Sequence, residues 1–167
     1  ICTSEVRNFF YVFINAIVDM KDEYLSMPAN LAELNRVSKC YDIVGLPGCM
    51  GSIDVAHVKW ANCPAGDFNR AKGKETFPSL GFECITDFNR RVLSIYGPHF
   101  GSCNDMDIVK TDKYVEMIWL KRLFRDAQWK YYNQDRHVRQ ETGMYVISND
   151  GYLRWPTTIC PFTHTSV

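Results

Sequence analysis

Over the first twenty residues apolar side chains return every three or four positions. Val6, Phe9, Phe10, Phe13, Ile14, Ile17 and Met20 share this rhythm, which predicts a helix over 4–21 with Ser4 as its cap. Its polar face is not basic, so it reads as a helix that packs on a core and not one that lies on a membrane surface. Pro28 interrupts the pattern, and a second helix is predicted over 30–40. Beyond the turn cluster Gly45-Leu-Pro-Gly-Cys-Met-Gly51 the period drops to two, and the β-branched run from Ser52 to Trp60 predicts a strand. The polar stretch 62–78, with two prolines and two glycines, predicts a loop. Leu80–Phe88 and Arg91–Tyr96 flank the turn-prone Asn89-Arg90 and predict a hairpin.

Residues 97–104 read as loop. The helical period then resumes from Asp105 to about Tyr132, carried by Val115, Ile118, Trp119, Leu120, Leu123 and Phe124. Residues 134–142 are polar enough for a surface loop, 143–148 predict a short strand, and the tail from Pro156 reads as irregular. Two helices, three strands, a helix and a strand make an α/β chain with a mixed sheet flanked by helices.

Composition changes this picture little. At 167 residues, 46% hydrophobic and 14% aromatic, the chain can build a real core. Nineteen basic and nineteen acidic residues cancel, which argues mildly against tight nucleic-acid binding, although a local basic face remains open. The seven cysteines form no CxxC pair, so neither a zinc site nor a disulfide framework is signalled, and reduced thiols fit best. No run of about 20 apolar residues marks a membrane span.

Candidate chemistry sits where elements end. Asp54 stands between Ile53 and Val55, and a carboxylate there is either solvent-facing or partnered. Asp105 and Asp107 follow Gly101-Ser-Cys-Asn104, where a helix cap with acids in its first turn is the plain alternative. Asn149-Asp150-Gly151 reads first as a turn. Carboxylates brought together from strand and loop ends can hold hard divalent cations, and two such ions can drive phosphodiester cleavage. His57, at an odd offset from Asp54, points to the opposite face of an extended strand and reads as structural. Lys59, Arg70, Lys72 and Lys74, with Trp60 and Phe68 among them, are candidates for lining a DNA groove, against the alternative of a solvated basic loop.

Four ordered blocks carry a resemblance. They are Gly45-Leu-Pro-Gly-Cys-Met-Gly-Ser-Ile-Asp-Val-Ala-His57, Lys59-Trp-Ala-Asn-Cys-Pro64, Gly101-Ser-Cys-Asn-Asp-Met-Asp-Ile108 and Tyr145-Val-Ile-Ser-Asn-Asp-Gly-Tyr-Leu153. Together, across 44–162, the chain resembles the Harbinger transposase family of plants and animals. The resemblance implies an RNase H-like nuclease domain over 44–167 preceded by a helical segment over 1–43. It also implies DNA as substrate, magnesium or manganese as cofactor, work in the nucleus, and a separate Myb-like DNA-binding partner.

Carried over by motif, the family's metal-holding acids fall on Asp54 and Asp105, and a further aspartate position falls on Asn149. An amide there removes one charge from a site built for dications. Asp150 is a possible substitute ligand, but adjacent strand residues face opposite ways, so it serves only if a turn or bulge re-aims it. The family's final glutamate lies on a helix beyond the fourth block, and the chain ends before it, which reads as a C-terminal truncation. Two functions follow as expectations: a metal-dependent DNA endonuclease domain, inactive or incomplete in this form, or a non-catalytic domesticated relic that binds or scaffolds.

Overall fold

The computed structural model describes residues 2–120 and 123–161. The chain begins with α1 (Thr3–Asp19), a single turn α2 (Lys21–Tyr24) and α3 (Leu31–Ile43). Asn30 starts α3 by accepting a hydrogen bond from the Glu33 amide, while the Glu33 side chain returns to Ala29 N and Asn30 Nδ2. The next elements are β1 (Cys49–Lys59), a turn of helix α4 (Phe68–Ala71), β2 (Ser79–Thr86) and β3 (Val92–Phe100). Then come α5 (Asp105–Val109), α6 (Lys113–Trp119), the hairpin β4 (Gln128–Tyr132) and β5 (Val138–Thr142), β6 (Tyr145–Ile147) and β7 (Thr158–Ile159).

Five strands form one mixed sheet in the order β3-β2-β1-β6-β7. The first three pair antiparallel; β6 joins β1 parallel, and β7 joins β6 parallel. A mixed five-stranded sheet flanked by helices is compatible with the RNase H-like fold expected from the sequence. Strand β1 lies at its centre because its residues suit both faces. Ile53 and Val55 are buried, whereas Asp54, Ala56 and Val58 on the alternate positions are exposed.

The buried face is the core. Ile53, Val55, Ile85 and Val146 of the sheet meet Leu34 of α3, Ile108 and Val109 of α5, and Val115 and Ile118 of α6. A smaller cluster of Tyr41, Cys49 and Tyr145 closes the end where α3 enters β1. All seven cysteines are free thiols.

Several expectations need correction. Helix α1 buries none of its residues, so it is not a core-packing helix. Strand β3 runs on through 97–100, predicted as loop, because register with β2 continues to Leu80↔Phe100. The single long helix predicted from Asp105 is interrupted. Asp112 accepts hydrogen bonds from the Tyr114 and Val115 amides and so caps a new helix. Farther on, the aromatic run Trp129, Tyr131 and Tyr132 takes strand form against Val138–Thr142, in a segment expected to be loop. The tail contributes β7, and its last residues, 162–167, lie outside the described residues, as do 121–122.

Candidate metal centre

Parallel pairing sets the first contact. Ser52 of β1 lies opposite Ile147 of β6, and two residues farther along each chain stand Asp54 and Asn149. The Asn149 amide donates from Nδ2 to Asp54 Oδ1 at 3.2 Å. The same Asp54 oxygen accepts from the Val55 backbone N–H at 2.9 Å. On its other side Asn149 Oδ1 accepts from Gly151 N at 2.8 Å, closing a side-chain turn that fixes the amide with its nitrogen toward Asp54.

Asp105 arrives from the opposite direction. It is the first residue of α5, whose cap is Asn104, bonded from the Met106 amide. The Asp105 side chain is largely buried at 14% exposure, and Lys74 Nζ lies 3.7 Å from its Oδ2. Gly151 marks the meeting point. A Cβ on that glycine would sit 2.9 Å from Asn149 Oδ1 and 3.3 Å from Asp105 Oδ2, so only a residue without a side chain lets the two approach. The turn 149–151 therefore touches both Asp54 and Asp105. Beside Asp54 and Asn149 opens a cleft of about 700 Å³ walled by Ile147, Ile159 and Cys160.

Of the residues singled out from sequence, the structure thus gathers Asp54, Asn149 and Asp105 around one turn. Asp150 is exposed, and no hydrogen bond or ion pair joins it to another described residue. His57 lies on the face opposite Asp54, where its Nδ1 meets Ser79 Oγ at 3.1 Å. The basic residues have separate roles. Lys59 sits over the Phe77 ring at 5.6 Å; Arg70 stacks on Phe100 at 4.1 Å and pairs with Asp67 at 3.8 Å. Lys74, proposed for a DNA groove, pairs with Asp105 at 3.7 Å and stays exposed, as does Lys72.

Two carboxylates and an amide oxygen do not fit a two-ion centre. Among the described residues no group of three histidine, cysteine or acidic side chains is placed to hold a metal. Each acid already faces a donor of the protein, Asp54 the Asn149 amide and Asp105 the Lys74 ammonium. A resident cation and a fixed N–H stand where dications would need free oxygen lone pairs.

Sequence reasoning missed a buried acid beneath the site. Glu83 of β2 alternates with Ile85 on the core face, is 1% exposed, and has both oxygens without a hydrogen-bond donor in good geometry. Burial, then the neighbouring Asp112 carboxylate, pushes its pKa up to about 9, so it is protonated at neutral pH. The Asp112 carboxylate accepts from the Tyr114 and Val115 amides at the start of α6. The same burial, with Glu83, Asp105 and Asp54 nearby, drives the Tyr152 hydroxyl far above its ordinary range, and it stays neutral. The signal was available: the alternation that put Ile85 inside also put Glu83 there.

No helix among the described residues is long and apolar enough to cross a membrane. No solved structure matches the chain. The Arabidopsis thaliana protein named "Protein ALP1-like" is 25% identical over 165 residues, covering 95% of this chain. The chain spans 38% of that relative's length. Residues 22–164, which include every residue of the centre just described, match the model of a family described as plant transposon protein, and the chain belongs to that family.

Proposed function

We propose that this chain is the part of a Harbinger-type, transposase-derived nuclease domain that carries its first acids, and that in this form it associates with DNA without cutting it. The observation that carries the reading is the Asn149–Asp54 hydrogen bond, at the place where the resemblance puts a second carboxylate. Phosphodiester cleavage by two metal ions needs enough anionic oxygens to hold both ions against the negative phosphate. Here Asp54 and Asp105 supply two carboxylates, Asn149 supplies an oxygen already accepting from Gly151, and Lys74 cancels one of the charges. What these residues can still do is position: Lys74 offers a cation to a phosphate oxygen, and the cleft beside Asp54 offers an apolar wall for a sugar or base.

The longer protein to which such a chain corresponds would act in the nucleus, with magnesium or manganese and a Myb-like DNA-binding partner, as the Harbinger resemblance implies. The test is plasmid nicking with Mg²⁺ or Mn²⁺. The expected result is no cutting by this chain, and cutting by a longer protein carrying Asn149→Asp that is abolished by Asp54→Ala. Robust cutting by the chain as it stands, lost in Asp54→Ala, would overturn the reading. A domesticated relic is favoured instead if the longer, restored protein binds DNA and never cuts.

A further inference from the structure

Away from the 149–151 turn, a hollow of about 330 Å³ opens between the segment before α3, the first turns of α3 and the start of β3. Ser26, Glu33, Arg36 and Arg91 give it polar walls, and Val37 and Leu93 line it with apolar ones. Two guanidinium groups at one hollow raise the local potential and favour an anion there.

The acid at hand is already used. Glu33 Oε2 accepts from Ala29 N at 2.9 Å and Glu33 Oε1 from Asn30 Nδ2 at 3.0 Å, the two bonds that start α3. The Ala29 amide is the first cause of its lowered pKa, and the charges of Arg36 and Arg91 add to it. Yet among the described residues neither guanidinium lies within ion-pair distance of a carboxylate, whereas Arg70 pairs with Asp67, Lys74 with Asp105 and Lys110 with Asp107. Arg91 is also held in place. Its backbone N–H donates to Asp87 Oδ1 at 2.9 Å, its carbonyl accepts from Asp87 N at 2.9 Å, and its Nη2 donates to Ser26 Oγ at 2.9 Å. The Ser26 hydroxyl accepts there and so keeps its own O–H to donate. The Arg36 side chain makes no hydrogen bond to a described residue, and most N–H donors of both forks remain for a ligand.

We propose that this hollow is an oxyanion site that takes a phosphate group, held by Arg36 and Arg91 with the Ser26 hydroxyl as a further donor. Two cations stand there against one carboxylate whose oxygens are occupied. A phosphate presents enough oxygens for two guanidinium forks, where a carboxylate matches one. The proposal rests on the function given above only for the source of the phosphate, which on that reading is the DNA backbone. Free phosphate has the same chemistry.

The experiment is a titration of this chain with inorganic phosphate at ionic strength held constant with chloride, followed by the arginine Nε–H signals in nuclear magnetic resonance. The expected result is a saturable shift of Arg36 and Arg91 with one millimolar dissociation constant, and none at Arg70. Arg36→Gln or Arg91→Gln should each weaken binding by roughly tenfold, the loss of one charge-assisted hydrogen bond. Both side chains are exposed, so both variants should keep the circular dichroism of the wild type. DNA binding across a salt series is the second arm. If the phosphate belongs to DNA, the double variant lowers the slope of log K against log salt by about 1. An unchanged slope with phosphate binding lost assigns the site to free phosphate. A chain that binds no DNA sinks the function proposed above and leaves the phosphate titration to decide this site. No saturable shift, an equal one at Arg70, or binding that either substitution leaves unweakened would overturn the proposal.

Discussion

Asn149, two residues beyond the end of β6, donates its amide to the carboxylate of Asp54 on the neighbouring strand β1 at 3.2 Å. On the function proposed above, a neutral donor stands where a metal centre would need an acceptor. Asn149→Asp reverses this. Without metal it sets two carboxylates against each other and removes a hydrogen bond to a charged group, a loss of about 1–2 kcal/mol. For a domain of this size the unfolding midpoint should fall by roughly 2–8 °C in chelator. Magnesium should recover the loss in the variant and leave the wild type nearly unmoved. Thermal melts with and without Mg²⁺ check this, and a variant indifferent to magnesium would count against a metal ancestry for the site.

Lys74 competes with any cation for Asp105. Its side chain is mostly exposed, so the pair adds little stability, about 0–1 kcal/mol. Lys74→Gln should therefore melt within a few degrees of the wild type. Manganese binding, followed by electron paramagnetic resonance, should nevertheless tighten, because one positive charge has left the site. Unchanged or weaker Mn²⁺ binding would show that Lys74 does not screen Asp105.

Gly151 is the spacer between two oxygens. Gly151→Ala places a methyl group 2.9 Å from Asn149 Oδ1 and 3.3 Å from Asp105 Oδ2. The turn must open, at a cost of about 1–3 kcal/mol. Denaturant unfolding should show a lower midpoint at an unchanged slope. Full retention of stability would mean that the turn is free to relax.

Glu83 makes stability depend on pH. Its folded-state pKa of about 9 lies above the ordinary 4.5, because burial and Asp112 both oppose its charge. The folded state therefore holds a proton that the unfolded chain releases. The stabilisation is complete below about pH 4.5 and is lost progressively as pH rises to about 9, at about 1.4 kcal/mol per unit. Glu83→Gln keeps the shape and removes the titration. The variant should match the wild type near pH 5 and exceed it by a few kcal/mol near pH 8, which urea unfolding across that range measures. His99, whose pKa is lowered first by burial, acts in the opposite sense as pH falls below 6.5, and that acid limb should survive in the variant. A slope between pH 5 and 8 that persists in Glu83→Gln would place its origin elsewhere.

What the sequence determined by itself is what local patterning encodes. The alternation of Ile53, Asp54 and Val55 made β1 a strand with its acid on the face away from the core, and the hairpin at Asn89-Arg90 followed from turn chemistry, with Arg90 at φ 69°. The motif blocks pointed to the residues gathered at the 149–151 turn. Tertiary structure decided what depends on distance between segments far apart in the chain. The helical reading carried through 129–132, and it is overturned because 138–142 supplies a strand to pair with that aromatic run. The apolar period of α1 looked like a core helix because periodicity records a face to be covered and not what covers it; in this fold the core is already filled by α3, α5 and α6. Lys74 reads as one more cation of a polar loop, and its approach to Asp105 exists only because the loop between α4 and β2 and the start of α5 meet across 30 intervening positions of the chain, a relation that no local period carries.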